Sequence, residues 1–569
     1  MDYRLIGKND FLLNPIDTIL KNRGIEDVQS FLNISNKHVY HWSKLKNIHR
    51  AIDCLLKHIN KDSKIFIQVD SDPDGYTSAS LLINYLTKVY PNVKIQWRLQ
   101  EGKEHGVILK TIPDDIGLVI IPDAGSNQFN EHKELKSKGI DVIVLDHHDC
   151  EIESENAIVV NSQLSPEYEN KQFSGVGITY KFAQGLDEKL NVRLADEYLD
   201  LVAIGNIADS VDMRSLETRY YVLKGLKNIK NKLLKALYEK QSYSTNNIIN
   251  ITTTSFYINP LINACIRVGT MDEKTQMMKA FLGSNETVYY KRNDVNEPIE
   301  VNTARMLGNI KARQGRVRDK SVALIEEKII EKNLLDNKLL IVDVTNILDK
   351  NLTGLVANSL KDTYKRGTVL VRYNEEKEAM TGSLRGYDKG YVKDLKTFLQ
   401  NTGKFDFVEG HSNAAGVQIK PEELIEVNKI INEQLKDTTV DISIHEVDFI
   451  IPSKQLSDSL IEVVYKHKDL WGHKVEEPLI AVKDIEVNSN EIYLNGKTSK
   501  TIKFIYRGIE FIKFFSSEEE WESLVNKGEM LVLDVVGNCA INIYKDKKTP
   551  QIVIEDYEVT KTKKKQFIF

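Results

Sequence analysis

The chain has 569 residues, too many for one ordinary domain and in keeping with three or four. Its 41% apolar and 28% charged residues describe a globular protein able to bury real cores, and a net charge of −5 neither marks nor excludes a nucleic-acid binder. Four scattered cysteines (Cys54, Cys150, Cys265 and Cys539) argue against a disulfide framework or zinc knuckle, and the absence of a signal-like or membrane-length apolar run leads us to expect a cytoplasmic, membrane-free protein.

Residues 1–60 read as a short helical lead-in. In residues 61–230, short apolar runs at Lys64 to Val69, Val93 to Trp97, Leu118 to Ile121, Val142 to Leu145 and Ala157 to Val160 alternate with helical patterns such as Ser78 to Tyr90. Buried strands alternating with helices predict a parallel sheet covered on both faces. Residues 231–332 become largely helical and close on a long connecting helix over Ala304 to Lys332, with Lys311, Arg313, Arg316 and Arg318 near its middle. A second α/β unit spans 333–436, opening on Leu339 to Val342. Residues 437–560 are rich in short strands, such as Ile502 to Tyr506 and Met530 to Val535, and read as a small β-barrel or sandwich; a basic tail occupies 561–569.

Charge falls at the ends of these strands. The first ends in Asp70-Ser71-Asp72-Pro73-Asp74-Gly75, the third in Pro122-Asp123-Ala124-Gly125 and the fourth in Asp146-His147-His148-Asp149. A helical run from Leu199 to Gly205 then leads to Asp209. In an open α/β sheet the ligand crevice lies outside the carboxyl ends of the strands, so these segments deliver carboxylates and imidazoles to one edge. Acids so crowded repel unless cations neutralise them, and carboxylates with imidazoles suit Mn²⁺ or Mg²⁺. Two such ions form a clamp suited to phosphodiester hydrolysis. Each segment taken singly has a plainer reading as a turn rich in aspartate and glycine. A calcium loop opening at Asp70 would need glutamate at its twelfth position, where Leu81 stands, and would follow a helix instead of a strand.

At these residues the chain resembles the DHH phosphoesterases, named for the motif present as Asp146-His147-His148. Ser174-Gly175-Val176-Gly177 before a helix, Asp200 to Gly205 with Ala208-Asp209, and Pro260-Leu261-Ile262-Asn263-Ala264 with Arg267 resemble the RecJ branch in particular. Thr381-Gly382-Ser383-Leu384-Arg385 and Gly410 to Gly416 resemble the substrate-binding motifs of the accompanying DHH-associated (DHHA1) domain. The C-terminal part is placed like the RecJ oligonucleotide-binding (OB) barrel. The resemblance thus implies an α/β fold with a parallel-sheet DHH catalytic domain, a long connecting helix, a second α/β domain and an OB-like β-barrel.

It also implies roles. Asp72 and Asp123 would hold one Mn²⁺ or Mg²⁺, and Asp74, Asp123, His147 and Asp209 the other, with Asp123 bridging. His148 would contact the scissile phosphate, with Asp70 and Asp146 as supporting acids. Asn263, Arg267, Ser383, Arg385 and His411 would engage the DNA backbone, and guanidinium and hydroxyl donors suit phosphate oxygens on chemical grounds as well. The implied activity is metal-dependent exonucleolytic hydrolysis of single-stranded DNA, 5′ to 3′, in repair, recombination or replication. The implied protein is a monomer that meets single-stranded DNA and a single-strand-binding protein or repair factor.

Two alternatives stay open: a phosphodiesterase for short oligonucleotides or cyclic dinucleotides, and a metal-free DNA-binding relative. The extra β-rich domain argues against the first and the complete acidic set against the second. The sequence also departs from the family pattern. Gln68 stands where many superfamily members have a first metal-binding histidine, which would leave one metal weakly held. His105-Gly106 replaces a tyrosine-glycine pair, Glu409 and Ile266 replace glycines, and Trp471-Gly472-His473 with Pro478 matches only loosely the phenylalanine-glycine motif that opens the barrel. The basic residues of the connecting helix read either as a channel lining or as a solvated face, and the tail from Lys561 to Phe569 as a docking peptide or a loose end.

Overall fold

The computed structural model describes residues 1–102, 104–387, 390–438, 444–496, 500–545 and 547–563, so Lys564 to Phe569 of the basic tail lie outside the described residues. The chain opens on a strand, β1 (Asp2–Leu5), where the sequence predicts only helix, and this strand pairs in parallel with Ile444–Val447. Phe11, Ile16, Ile19 and Leu20 are buried in one core with Phe449 and Ile451. The lead-in therefore packs on the C-terminal unit, and only its later part (Trp42, Leu45, Ile48) enters the catalytic core.

The catalytic sheet is parallel throughout, as expected. It contains β2 (Lys64–Val69), β3 (Ile95–Leu99), β4 (Ile116–Pro122), β5 (Asp141–Asp146) and β6 (Ile158–Asn161), in the order β3-β2-β4-β5-β6. Side chains alternate between the faces: Ile65 and Ile67 enter one core and Phe66 the other, as do Leu118 and Ile120 against Val119 and Ile121. Burial on both faces is what makes these runs continuously apolar. From β2 the chain crosses to β3 on one side and later to β4 on the other. The strand order thus reverses between β2 and β4, which places the crevice above their carboxyl ends.

Helices Pro73–Val89, Gly175–Leu190 and Leu199–Ala208 cover the face over that crevice. Behind them an ion pair is completely buried: Lys181 Nζ lies 2.6 Å from Glu217 Oε1 and donates to the Tyr40 carbonyl, while Glu217 Oε2 accepts from Tyr168 Oη at 2.7 Å. Nearly every polar atom of the pair is satisfied, which is what makes such burial tolerable.

The stretch expected to be largely helical also holds a hairpin, Thr287–Tyr290 with Val295–Pro298. The connecting helix runs from Ile299 to Glu331, 33 residues and so about 50 Å long. Its first half buries Ile299, Leu307 and Ile310 in the catalytic core. Its second half buries Ile325 and Ile329 with Leu340 and Val342 of the next unit. That unit is a five-stranded sheet in the order Phe405–His411, Ala414–Ile419, Ala379–Arg385, Thr368–Asn374 and Leu340–Asp343, antiparallel except for the last pair.

The C-terminal unit is a seven-stranded sheet whose long hairpin pairs Met530–Tyr544 with Lys547–Lys563. Bulges at Val482/Ile485, Val532/Leu533 and Val536/Gly537 bend it, and Phe504 stacks on Phe511 inside at 4.9 Å. Residues Lys561 to Lys563, read from sequence as tail, continue its last strand. All four cysteines are free, and no helix among the described residues is long and apolar enough to cross a membrane.

Candidate active site

The turn after β2 is organised by its own aspartates. Asp72 caps the helix Pro73–Val89, its Oδ1 accepting from Gly75 N at 2.8 Å, with Pro73 in the first turn where no amide hydrogen is needed. Asp74, two residues further on and buried, reaches across to the next helix of the layer. It accepts from Ser174 Oγ at 3.0 Å, Gly175 N at 2.6 Å and Val176 N at 3.1 Å, so a helix N-terminus holds its charge. Asp70 accepts from Gly106 N at 3.0 Å and lies 2.8 Å from His105 Nδ1.

Asp123 follows β4 in left-handed backbone, φ 66°, a conformation that costs energy and that Asp tolerates better than most residues. Two glycines make room here. A Cβ on Gly175 would fall 2.3 Å from Asp123 Oδ1, and one on Gly205 would fall 2.3 Å from Asp74 Oδ1. Helices Gly175–Leu190 and Leu199–Ala208 approach the carboxylates this closely only because both positions lack side chains.

The structure brings the sequence-predicted set together. His147 Nε2 lies 3.3 Å from Asp123 Oδ1, 3.7 Å from Asp209 Oδ2 and 3.9 Å from Asp74 Oδ2. Ligand atoms of Asp74, His147 and Asp209 fall within 4.8 Å of one another, as do those of Asp70, Asp72 and Asp123, and those of Asp123, Asp146, His147 and His148. Asp123 is thus shared between groups. Among the described residues, no N–H or O–H makes a well-aligned hydrogen bond to either of its buried oxygens, and buried His147 Nε2 likewise makes none. Buried polar atoms left this way are costly, and a donor set of carboxylate oxygens with one imidazole fits a hard or borderline divalent cation.

The charges respond to this crowding. Burial, then the charge of Asp72, pushes Asp74 up to about 6. Burial and the charges of Asp74 and Asp72 push Asp123 and Asp209 well above the usual carboxylate range. Burial and the neighbouring His148 hold His147 down at about 3, leaving a neutral imidazole available as a ligand. His148 goes the other way. Burial opposes its charge, but Asp146 Oδ1, 2.7 Å from its Nδ1, together with Asp209 and Asp72, pushes it up to about 10. Asp146 is itself held by the amides of His147 and Ser126 at 2.7 and 3.1 Å. His105 packs edge-on to His148 at 5.4 Å and was visible in the sequence only as a departure from a tyrosine.

Gln68, at the position of the missing histidine, is buried and donates to the Arg98 carbonyl at 3.1 Å. Around the edge stand the basic and polar residues. Arg267 Nε donates to Asn263 Oδ1 at 2.9 Å; Arg267 feels the charge of Asp72, and Arg385 in turn feels that of Arg267. Burial, with the charge of Arg267, brings Arg385 down to about 10. Ser383 Oγ lies 2.9 Å from Thr353 Oγ1. His411 is held down by burial and then by the positive charge of His148. Of the connecting-helix cations, Lys311 lines a cavity of about 280 Å³ with Arg267 and Asn263. Arg313 and Arg318 do not join it, since Glu273 and Asp319 take their guanidinium groups.

The fold and this edge define a DHH-type protein, and comparison agrees: residues 64–206 match the DHH family, N-terminal domain, and residues 447–556 the RecJ OB domain. The SPbeta prophage-derived YorK of Bacillus subtilis (strain 168), named as a single-strand DNA-specific exonuclease, is 53% identical over 576 residues and the match covers 100% of each chain. The single-stranded-DNA-specific exonuclease RecJ of the same organism is 26% identical over 570 residues, covering 96% of this chain and 68% of that one. The crystal structure of RecJ from Thermus thermophilus with Mn²⁺ shares the fold, with a TM-score of 0.71 at 19% identity over 91% of this chain and 72% of that one. The chain belongs to the RecJ family of single-strand DNA-specific exonucleases.

Proposed function

We propose that this protein hydrolyses single-stranded DNA from its 5′ end, releasing mononucleotides, with two divalent cations, Mn²⁺ or Mg²⁺. The observation that carries the reading is Asp123: a buried carboxylate with no well-aligned donor to either oxygen among the described residues, shared between two groups of ligands. Asp74, Asp123, His147 and Asp209 would hold one ion, and Asp72 and Asp123, with Asp70 beside them, the other. When bound, such a pair activates water and offsets charge developing on phosphate oxygens.

The chain's own residues do the rest. Asp146 fixes the ring of His148 through Nδ1 and keeps it cationic, so that Nε2–H is presented to a phosphate oxygen. Arg267, Arg385, Ser383 and His411 line the approach with donors for the phosphates on either side. Contacts to the phosphate backbone position the strand without reading sequence. The names of the relatives support the substrate and the exonuclease activity, and four free thiols accord with a cytoplasmic setting.

The test is a long single-stranded DNA labelled at its 5′ end, incubated with Mn²⁺ or with chelator, beside Asp74→Ala. Labelled mononucleotide should appear early, only with metal and only with the unaltered chain. DNA left intact under every metal condition, or a dinucleotide cut faster than the long strand, would overturn the reading.

A further inference from the structure

The segment Thr254–Ile258 is a π-turn, with Asn259 N–H bonded to the Thr254 carbonyl five residues back. Its cause is local. An α-turn here would have the amide of residue 260 donate to the Phe256 carbonyl, but Pro260 has no amide hydrogen. The ends of the turn are fixed: Thr254 and Ile258 are fully buried, and Thr254 Oγ1 is 2.7 Å from Tyr238 Oη. Between these anchors Phe256 is pushed outward and is 71% exposed. An aromatic ring so exposed, on a backbone so firmly held, adds nothing to the core.

Phe256 looks into a cavity of about 410 Å³ between the catalytic unit and the start of the C-terminal unit, walled also by Met213, Ile251, Trp471 and His473. The far wall is fixed to the near one, because Met213 N donates to the His473 carbonyl at 3.1 Å. This cavity shares Ile207, Ser210 and Ser255 with the 280 Å³ cavity of Arg267 and Lys311, whose lining reaches Pro73 and Ala208 beside the metal-ligand candidates. The two differ in character. The small one is cationic; the large one is aromatic and apolar, with Glu476 and Glu477 at its edge. A phosphate is drawn to the first and repelled by the second, whereas a neutral base with exocyclic amines suits the second.

We propose that Phe256 is a base-stacking platform: a nucleobase close to the scissile phosphate stacks on it in the cavity between the units, while the adjoining phosphate sits against Arg267 and Lys311. The inference rests on the exonuclease reading and adds to it a residue that positions the strand without touching the reacting atoms. Stacking on one aromatic ring changes affinity by about 5- to 150-fold.

The first test needs no variant. A single abasic residue is placed in an otherwise ordinary 5′-labelled series of strands, and digestion should pause a fixed distance before it. Phe256→Ala should raise KM for single-stranded DNA about ten-fold and abolish the extra pause, and Phe256→Trp should restore both. Loss of function in Phe256→Trp equal to that in Phe256→Ala, with both chains folded by circular dichroism, would mark a structural role and overturn the proposal. So would unpaused passage through the abasic site with KM unchanged in Phe256→Ala. If the unaltered protein digests no DNA at all, the exonuclease reading itself fails, an outcome distinct from either.

Discussion

Replacing Asp123 by asparagine would separate the cost of the acidic edge from its use. The side chain is buried, no described residue makes a well-aligned hydrogen bond to its oxygens, and its ligand atoms lie within 4.8 Å of those of Asp70 and Asp72. At that separation and an effective dielectric of about 20, each like-charged pair opposes folding by about 3.5 kcal/mol before relaxation. A proton taken up by the wild-type carboxyl already relieves most of this, so the net gain on removing the charge should be about 2 kcal/mol in the absence of metal. Asparagine has the same shape and tolerates the φ of 66°, so no backbone strain is added. A divalent cation at a hundred times its Kd should stabilise the unaltered protein by about 2.7 kcal/mol and the variant by far less. Urea unfolding followed by tryptophan fluorescence, in chelator and in Mn²⁺, reads both effects. The reasoning is refuted if Asp123→Asn is the less stable chain in chelator, or if Mn²⁺ stabilises the two equally.

Gly175→Ala should cost at least about 100-fold in turnover, because its Cβ meets Asp123 Oδ1 at 2.3 Å and must displace a ligand; Gly315→Ala, with nothing within 4 Å, should leave steady-state rates alone. Lys181→Met strands buried Glu217 and should lower stability by about 3–5 kcal/mol, much of it recovered in Lys181→Met with Glu217→Leu, as chemical denaturation will show. His445 is pushed up to about 9 by hydrogen bonds to Asp556 and Glu555. A raised histidine stabilises fully below its unfolded value near 6.5 and loses that contribution as pH rises through about 9. Because both carboxylates are half-exposed, the stability difference between the unaltered chain and His445→Gln should not exceed about 1 kcal/mol at pH 6 and should vanish by pH 10. A difference that grew with pH would show the sign to be wrong.

Carboxylates at the ends of β2, β4 and β5 were legible because each sits in the few residues after an apolar run, and a parallel sheet sends all such ends to one edge. What escaped reading depends on chain segments far apart. Gly175 and Gly205 stand out in the sequence only as parts of motifs; that they leave room for Asp123 and Asp74 emerges only once folding brings those side chains within contact distance. Arg313 shares a stretch with Lys311, yet Glu273, 40 residues earlier in the chain, occupies it, which no spacing within the helix reveals. His105 registered only as an unusual residue, since its contact with Asp70 needs two loops from different strands. β1 was missed for the same reason: four residues carry little periodicity, and their partner lies at Ile444–Val447.

That pairing has a consequence for biogenesis. Arg4 and Glu446, joined across it, are 442 residues apart in the chain. At a synthesis rate of about 5–20 residues per second, β1 waits roughly 20 to 90 seconds after its own synthesis before its partner exists. Through that interval the core that Phe11, Ile16, Ile19 and Leu20 enter is incomplete, because Phe449, Ile451 and their neighbours are still unmade. This segment therefore cannot complete its native packing until the C-terminal unit has been made. Any extension fused to Met1, whose ammonium group sits 3.1 Å from Glu558, would be carried into that final closure.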